Sequence, residues 1–166
     1  MKRSKTETNC RFKIRNAKVE DLDQIMEVLK SANFHHIPSE EMPDLDLRYY
    51  YVAECDGAIV GVCGYKLLGP GEGKTTLVSV KPSMRDSGIG MALQKVRLEA
   101  MYRAGVRHVT TNADLPETIQ WYQRHFGYRK VGTLPKIHEF GDPAIDHWTT
   151  LRMDLRAWWK KEQKMI

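Results

Sequence analysis

No stretch of this sequence approaches the ~18 consecutive apolar residues of a membrane-spanning helix, so no membrane partner is expected. Its start, MKRSKTETNCRFK, carries charge without the apolar centre of a secretion signal, and a cytoplasmic location is the expectation. Cysteine is scarce: Cys10, Cys55 and Cys63 are an odd number, with neither a Cys-x-x-Cys nor a His pair beside them. That composition argues against a disulfide framework and against a zinc site, leaving free buried thiols and no metal as the expectation. Repeats and low-complexity tracts are absent. Lys and Arg outnumber Asp and Glu by 26 to 21, but the excess is scattered or gathered in the terminal MKRSK and KKEQK. Without a basic stripe, nucleic acid is not an expected partner. At 19.2 kDa the chain has material for one core, so residues 1–166 are read as a single domain, with 1–10 and 160–166 as tails.

What is present centres on Leu77 to Met101, LVSVKPSMRDSGIGMALQKVRLEAM. An apolar strand of Leu77, Val78 and Val80 stops at Pro82, and Ile89, Leu93, Val96 and Ala100 then recur at helical spacing. Between them, Gly88 and Gly90 leave room at the start of a helix, where N–H groups lack partners and the dipole is positive. A ligand with a phosphate group is predicted. A nucleotide-hydrolase loop needs Lys and then Ser or Thr after its last Gly, and Met91-Ala92 stand there instead. A dinucleotide loop needs a third Gly where Leu93 stands; Asp114 does fall near the distance of a ribose-binding acid, so that reading stays open on these residues alone.

Along the rest of the chain, Phe12 to Arg15 reads as a strand, and Val19, Leu22, Met26 and Leu29 as a helix stripe behind an acidic first turn. Ser31 to Arg48 holds two prolines, two histidines and the acids Glu40, Glu41, Asp44 and Asp46, a loop suited to binding. Tyr49 to Cys55 and Ala58 to Leu67 are strands joined at Asp56-Gly57, a hairpin signal. Gly69 to Gly73 reads as a mobile connection before a strand over Lys74 to Lys81. The helix from Gly88 ends at Gly105, and Val106 to Thr111 returns as a parallel strand. Asp114 caps a helix over Pro116 to Tyr128, in which Ile119, Tyr122 and Phe126 share a face. Strands over Arg129 to Ile137 and Asp146 to Leu155 precede a basic amphipathic tail carrying Trp158 and Trp159. The fold class implied is mixed α/β (α+β): one twisted mixed sheet of about six to seven strands with helices on both faces.

The block Arg85-x-x-Gly88-x-Gly90-x-Ala92, after a Val80-x-Pro82 strand end, resembles the acetyl-CoA loop of the GNAT superfamily of N-acetyltransferases. Tyr122 ahead of Gly127-Tyr128 is similar to that family's following helix, one residue longer than its commonest spacing, and the likeness runs from Phe12 to Leu155. The resemblance implies acetyl-CoA as co-substrate, with amides of Arg85, Asp86, Ser87, Gly88, Ile89, Gly90 and Met91 holding the pyrophosphate. It implies a splay between Leu77 to Lys81 and His108 to Asn112, where Val78, Ser79, Val80 and Asn112 meet pantetheine, and it puts Tyr122 in the place of the general acid. Direct acetyl transfer to a primary amine of a small molecule or peptide is the implied activity, and a homodimer is compatible with it. The alternative is a non-catalytic acyl-CoA sensor or interaction module. Glu54, Glu72, Asp114, His36, His138 or a relayed water are the candidates for a base, and none stands out. Phe34, His35, His36, Tyr49 and Tyr50 flank the acceptor cleft in the resembling fold, as do His138, Phe140, His147 and Trp148.

Overall fold

The computed structural model describes residues 10–31, 45–137 and 140–165. Phe34, His35, His36 and His138, with Glu40, Glu41 and Asp44, lie outside them. Strand β1 (Lys13–Asn16) leads through a 3-10 turn into helix α1 (Leu22–Ser31), which buries Ile25, Val28 and Leu29. The expected stripe is therefore rotated: Val19 belongs to the turn and is exposed, because the helix starts three residues later. Strands β2 (Tyr50–Cys55) and β3 (Ala58–Gly69) are rich in β-branched and aromatic residues. They meet at Asp56 and Gly57, whose positive φ values of 50° and 81° suit the twist of a two-residue hairpin. Gly69 to Gly73 is not a mobile connection. It closes tightly, since Gly69 pairs with Glu72 and strand β4 (Glu72–Val80) starts there.

Helix α2 (Ile89–Arg103) crosses to strand β5 (His108–Ala113), followed by α3 (Pro116–Phe126), β6 (Arg129–Pro135), β7 (His147–Asp154) and α4 (Leu155–Lys164). Residues 160–164, expected within a tail, continue α4, whose Trp158 is buried and whose Trp159 stacks on Tyr102 at 4.7 Å. The sheet runs β1-β2-β3-β4-β5-β7-β6, and β4 with β5 is the one parallel pair among the described residues. Alternation along the strands sends Val52 and Val62 to α1, and Ala53 and Cys63 to the opposite face, against Ile89 and Leu93 of α2. Helices thus cover both faces. A third cluster gathers α2, α3 and α4 over β5 and β7 through Leu98, Met101, Phe126, Leu151 and Trp158.

Cys10 and Cys55 form a disulfide, contrary to the expectation of free thiols, and only Cys63 is free. The cause is register: β1 pairs antiparallel with β2, Lys13 opposite Glu54, which carries the residues before β1 alongside the end of β2. A contact between positions 45 apart leaves no trace in local spacing.

Candidate active site

β4 and β5 pair at only three positions, Glu72 with His108, Gly73 with Val109 and Lys74 with Thr110. A hydrogen bond of 2.5 Å between the Thr75 and Thr111 hydroxyls closes the vertex, and beyond it the strands part. On its other edge β4 stays bound to β3 as far as Lys81, whose N–H donates to Val60 O. Alternation then turns the Leu77 and Ser79 amides toward β3 and those of Val78 and Val80 into the gap. A bulge sits at the vertex. Tyr65 pairs with Thr75 but Gly64 with Leu77, so Thr76 is the extra residue, its Oγ1 3.2 Å from the Tyr50 hydroxyl.

The open end of the gap faces the start of α2. Gly88, at φ 88° and ψ 0°, provides no side-chain cap, and the first intrahelical bond runs from Ala92 N–H to Gly88 O. The amides of Ile89, Gly90 and Met91 therefore lack helical acceptors. A Cβ at Gly88 meets nothing within 4 Å, and one at Gly90 reaches only Val80 Cγ2 at 4.0 Å. Asp86 is also left-handed, at φ 62°, and Ser87 Oγ donates to Met84 O, so the loop reverses tightly before the helix. Arg85 is exposed and makes no ion pair among the described residues. This is a cradle of amides beside a free cation, suited to a phosphate group.

The sequence profile of the acetyltransferase (GNAT) domain matches residues 46–130, from β2 through the cradle to the start of β6. The chain belongs to the GNAT acetyltransferase family. It is 26% identical over 151 residues to an N-alpha-acetyltransferase of Sulfurisphaera tokodaii, covering 80% of this chain and 89% of the relative. Ard1 of Thermoplasma volcanium superposes with a TM-score of 0.72 at 17% identity, over 86% of this chain and 97% of that one. The N-acetylglutamate synthase of Neisseria gonorrhoeae, solved with coenzyme A and N-acetyl-glutamate, superposes at 0.69 with 16% identity, over 89% of this chain and 36% of that one. As a GNAT acetyltransferase this chain is an acyltransferase, on a fold those structures share.

Within this GNAT domain, Val78 and Val80 stand on the parted stretch of β4 and the run Arg85 to Met91 forms the loop and first turn of α2, whereas Ser79 turns its hydroxyl away, to Val28 O of α1 at 3.3 Å. Asn112 stands on β5 past the vertex, its Oδ1 accepting from Thr150 Oγ1 at 2.7 Å. Tyr122 is 3% exposed, edge-on to Tyr128, and its hydroxyl accepts from Arg97 Nη2 at 3.1 Å. Of the base candidates, Glu54 pairs with Lys13 and Arg15 on β1, and Glu72 lies at the closed end, held by both Nη atoms of Arg152. Asp114 follows β5 at the open end but does not cap α3, whose N-cap is Leu115. Its carboxylate instead accepts from Leu115 N and Asp142 N at 2.8 Å each and from Lys136 Nζ at 3.0 Å.

Two aromatics expected at the acceptor side join this anchor: Lys136 Nζ donates to Phe140 O and lies 4.6 Å from the Trp148 ring centre. His147 pairs with the exposed Asp146, and Tyr49 packs edge-on to Tyr65 at 5.3 Å. Sequence reasoning missed Thr76, Lys136 and above all Gln94 and Arg97, both 0% exposed. The structure turns the expected stripe of α2: Val96 and Ala100 are only half-buried, while Leu98 and Met101 are buried along with Gln94 and Arg97.

Proposed function

We propose that this protein transfers the acetyl group of acetyl-CoA directly to the α-amino group of a peptide N-terminus. The observation that carries the cofactor reading is the parting of β4 from β5 beside the uncapped start of α2. A diphosphate fits the amides of Ile89, Gly90 and Met91 next to Arg85, and the amides of Val78 and Val80 suit the peptide-like pantetheine arm. Support for a peptide acceptor is the likeness to the Sulfurisphaera enzyme, named for α-amino acetylation. Direct transfer is supported by the state of Cys63: burial pushes its thiol up to about 11, and it faces Leu93 O, so it is no nucleophile for an acyl-enzyme. Tyr122 is assigned the proton delivered to the departing thiolate.

Thiol release from acetyl-CoA, measured over peptides with varied first residues and a panel of small amines, tests the reading. The expected product is a peptide acetylated at its first nitrogen, with no turnover on peptides already blocked there. Intersecting initial-rate lines are expected; parallel lines mean an acyl-enzyme and refute direct transfer. Turnover confined to small amines refutes the peptide acceptor.

A further inference from the structure

Arg97 is fully buried, and none of its partners is an anion. Its Nε donates to Gln94 Oε1 at 2.6 Å, Nη1 to Gly64 O at 3.2 Å and Leu77 O at 2.7 Å, and Nη2 to the Tyr122 oxygen at 3.1 Å. Removing a guanidinium from water without a carboxylate beside it is strongly unfavourable. Two bulge carbonyls do not demand a full charge, since neutral donors satisfy carbonyls as well.

The geometry points to Arg97 as a positioning residue for the reaction: it orients and polarises the Tyr122 hydroxyl as proton donor to the sulfur of the departing CoA. Guanidinium has donors only, so the Tyr122 oxygen must accept in this contact. Its own hydrogen is thereby left free, and no protein acceptor takes it among the described residues. The hydroxyl is two hydrogen bonds from Leu77 O, on the part of β4 that has lost its β5 partner. Gln94 completes the arrangement by donating through Nε2 to Tyr128 at 3.3 Å, which ties the neutral amide in place beside the cation.

This inference rests on the acetyl-transfer reading above. In the step, the amine nitrogen forms the N–C bond while the C–S bond breaks and leaves its electron pair on sulfur. The Tyr122 O–H gives its proton to sulfur, and the phenolate so formed is the anion that Arg97 otherwise lacks. The proton shed by the new amide nitrogen goes to water, and water restores the phenol. Reactants and products balance as amine plus thioester against amide plus thiol.

Gln94→Glu tests it, because the change is isosteric, keeps the bond from Arg97 Nε, and sets a carboxylate against the cation. With acetyl-CoA and an accepted peptide both saturating, kcat is expected to fall about tenfold. Acetyl-CoA affinity by calorimetry should stay within about twofold and Tm should hold or rise, since a buried ion pair replaces a lone charge. In a Tyr122→Phe background the same change should cost nothing further. An unchanged kcat in Gln94→Glu overturns the inference, as does a full tenfold loss in the Tyr122→Phe background. A second variant reads the same point without Gln94: Arg97→Gln removes the cation and the donor to Tyr122 and should lose about tenfold in kcat, with little further loss when it is made in the Tyr122→Phe background. A full tenfold loss in that background overturns it. A wild type that acetylates no acceptor refutes the transferase reading beneath; an active wild type with these variants unaffected removes Arg97 alone.

Discussion

Gly88→Ala separates the anion cradle from the stability of the helix that bears it. The φ of 88° at Gly88 is one that a residue with a Cβ adopts at a cost of about 1–2 kcal/mol. For a chain of this length that lowers Tm by roughly 2–8 °C. The new methyl meets no protein atom within 4 Å, so the core is untouched and the strain is local. It projects into the space before α2, and displacing a phosphate oxygen from one amide forfeits a charge-assisted bond of about 1.5–3 kcal/mol, which weakens acetyl-CoA by about 10- to 100-fold. Gly105→Ala is the control. Gly105 has φ 92° and equally open surroundings, at the far end of a 15-residue helix and thus roughly 22 Å away. Calorimetric titration with acetyl-CoA, beside thermal unfolding of both variants, gives the answer. Similar Tm losses with binding lost only in Gly88→Ala are expected. Wild-type affinity in Gly88→Ala, or equal weakening in both, refutes the cradle.

Lys136→Met leaves the Asp114 carboxylate buried without its cation and should cost about 3 kcal/mol in denaturant unfolding; a loss under about 1 kcal/mol refutes the anchor. The Arg15 guanidinium, with the Lys18 N–H, holds the Asp21 carboxyl below the usual carboxylate range, so this contribution is complete above about pH 4 and lost as pH falls through the depressed value. Asp21→Asn should therefore cost about 1 kcal/mol at neutral pH, solvent screening included, and the deficit should close in acid; a pH-independent deficit contradicts it. A thiol reagent should find no reactive cysteine in the native oxidised protein and Cys63 alone after unfolding, because Cys63 is buried and the other two are joined; prompt native labelling contradicts that.

Local chemistry made much of this fold legible. The Asp56-Gly57 hairpin, the strand-loop-helix of the cradle and the β4-α2-β5 crossover each rest on residues adjacent in sequence, where turn conformation and periodicity act directly. The misses rest on contacts between distant segments. The disulfide needs the β1–β2 register, the Thr76 bulge needs β3 beside β4, and the inward turn of Arg97 needs carbonyls from two strands. Asp114 shows the limit in one residue: followed by Pro116 and Glu117 it has the pattern of a helix cap, yet Lys136, 22 positions on, takes its carboxylate.

The parted strands imply a last outcome. Amides of Val78 and Val80 turned away from β3 have no β5 partner, and a polar group left unpaired in a partly buried place carries about 1–3 kcal/mol of penalty. A ladder continued to Val80 would remove that penalty and abolish the gap. The bulge at Thr76 and the two carbonyls that Arg97 draws from Gly64 and Leu77 hold β4 on the β3 side instead, so the gap persists without a ligand. A ligand bearing amides and a diphosphate then satisfies groups on both β4 and α2 at once, and binds the folded chain alone. At 100 times its Kd, acetyl-CoA should add about 2.7 kcal/mol, raising Tm by roughly 5–11 °C for a chain of this length. Pantetheine without the nucleotide should give a smaller rise and inorganic pyrophosphate a smaller one still. Should pyrophosphate alone match acetyl-CoA, the gap between β4 and β5 contributes nothing to binding, and the open strand edge has another purpose.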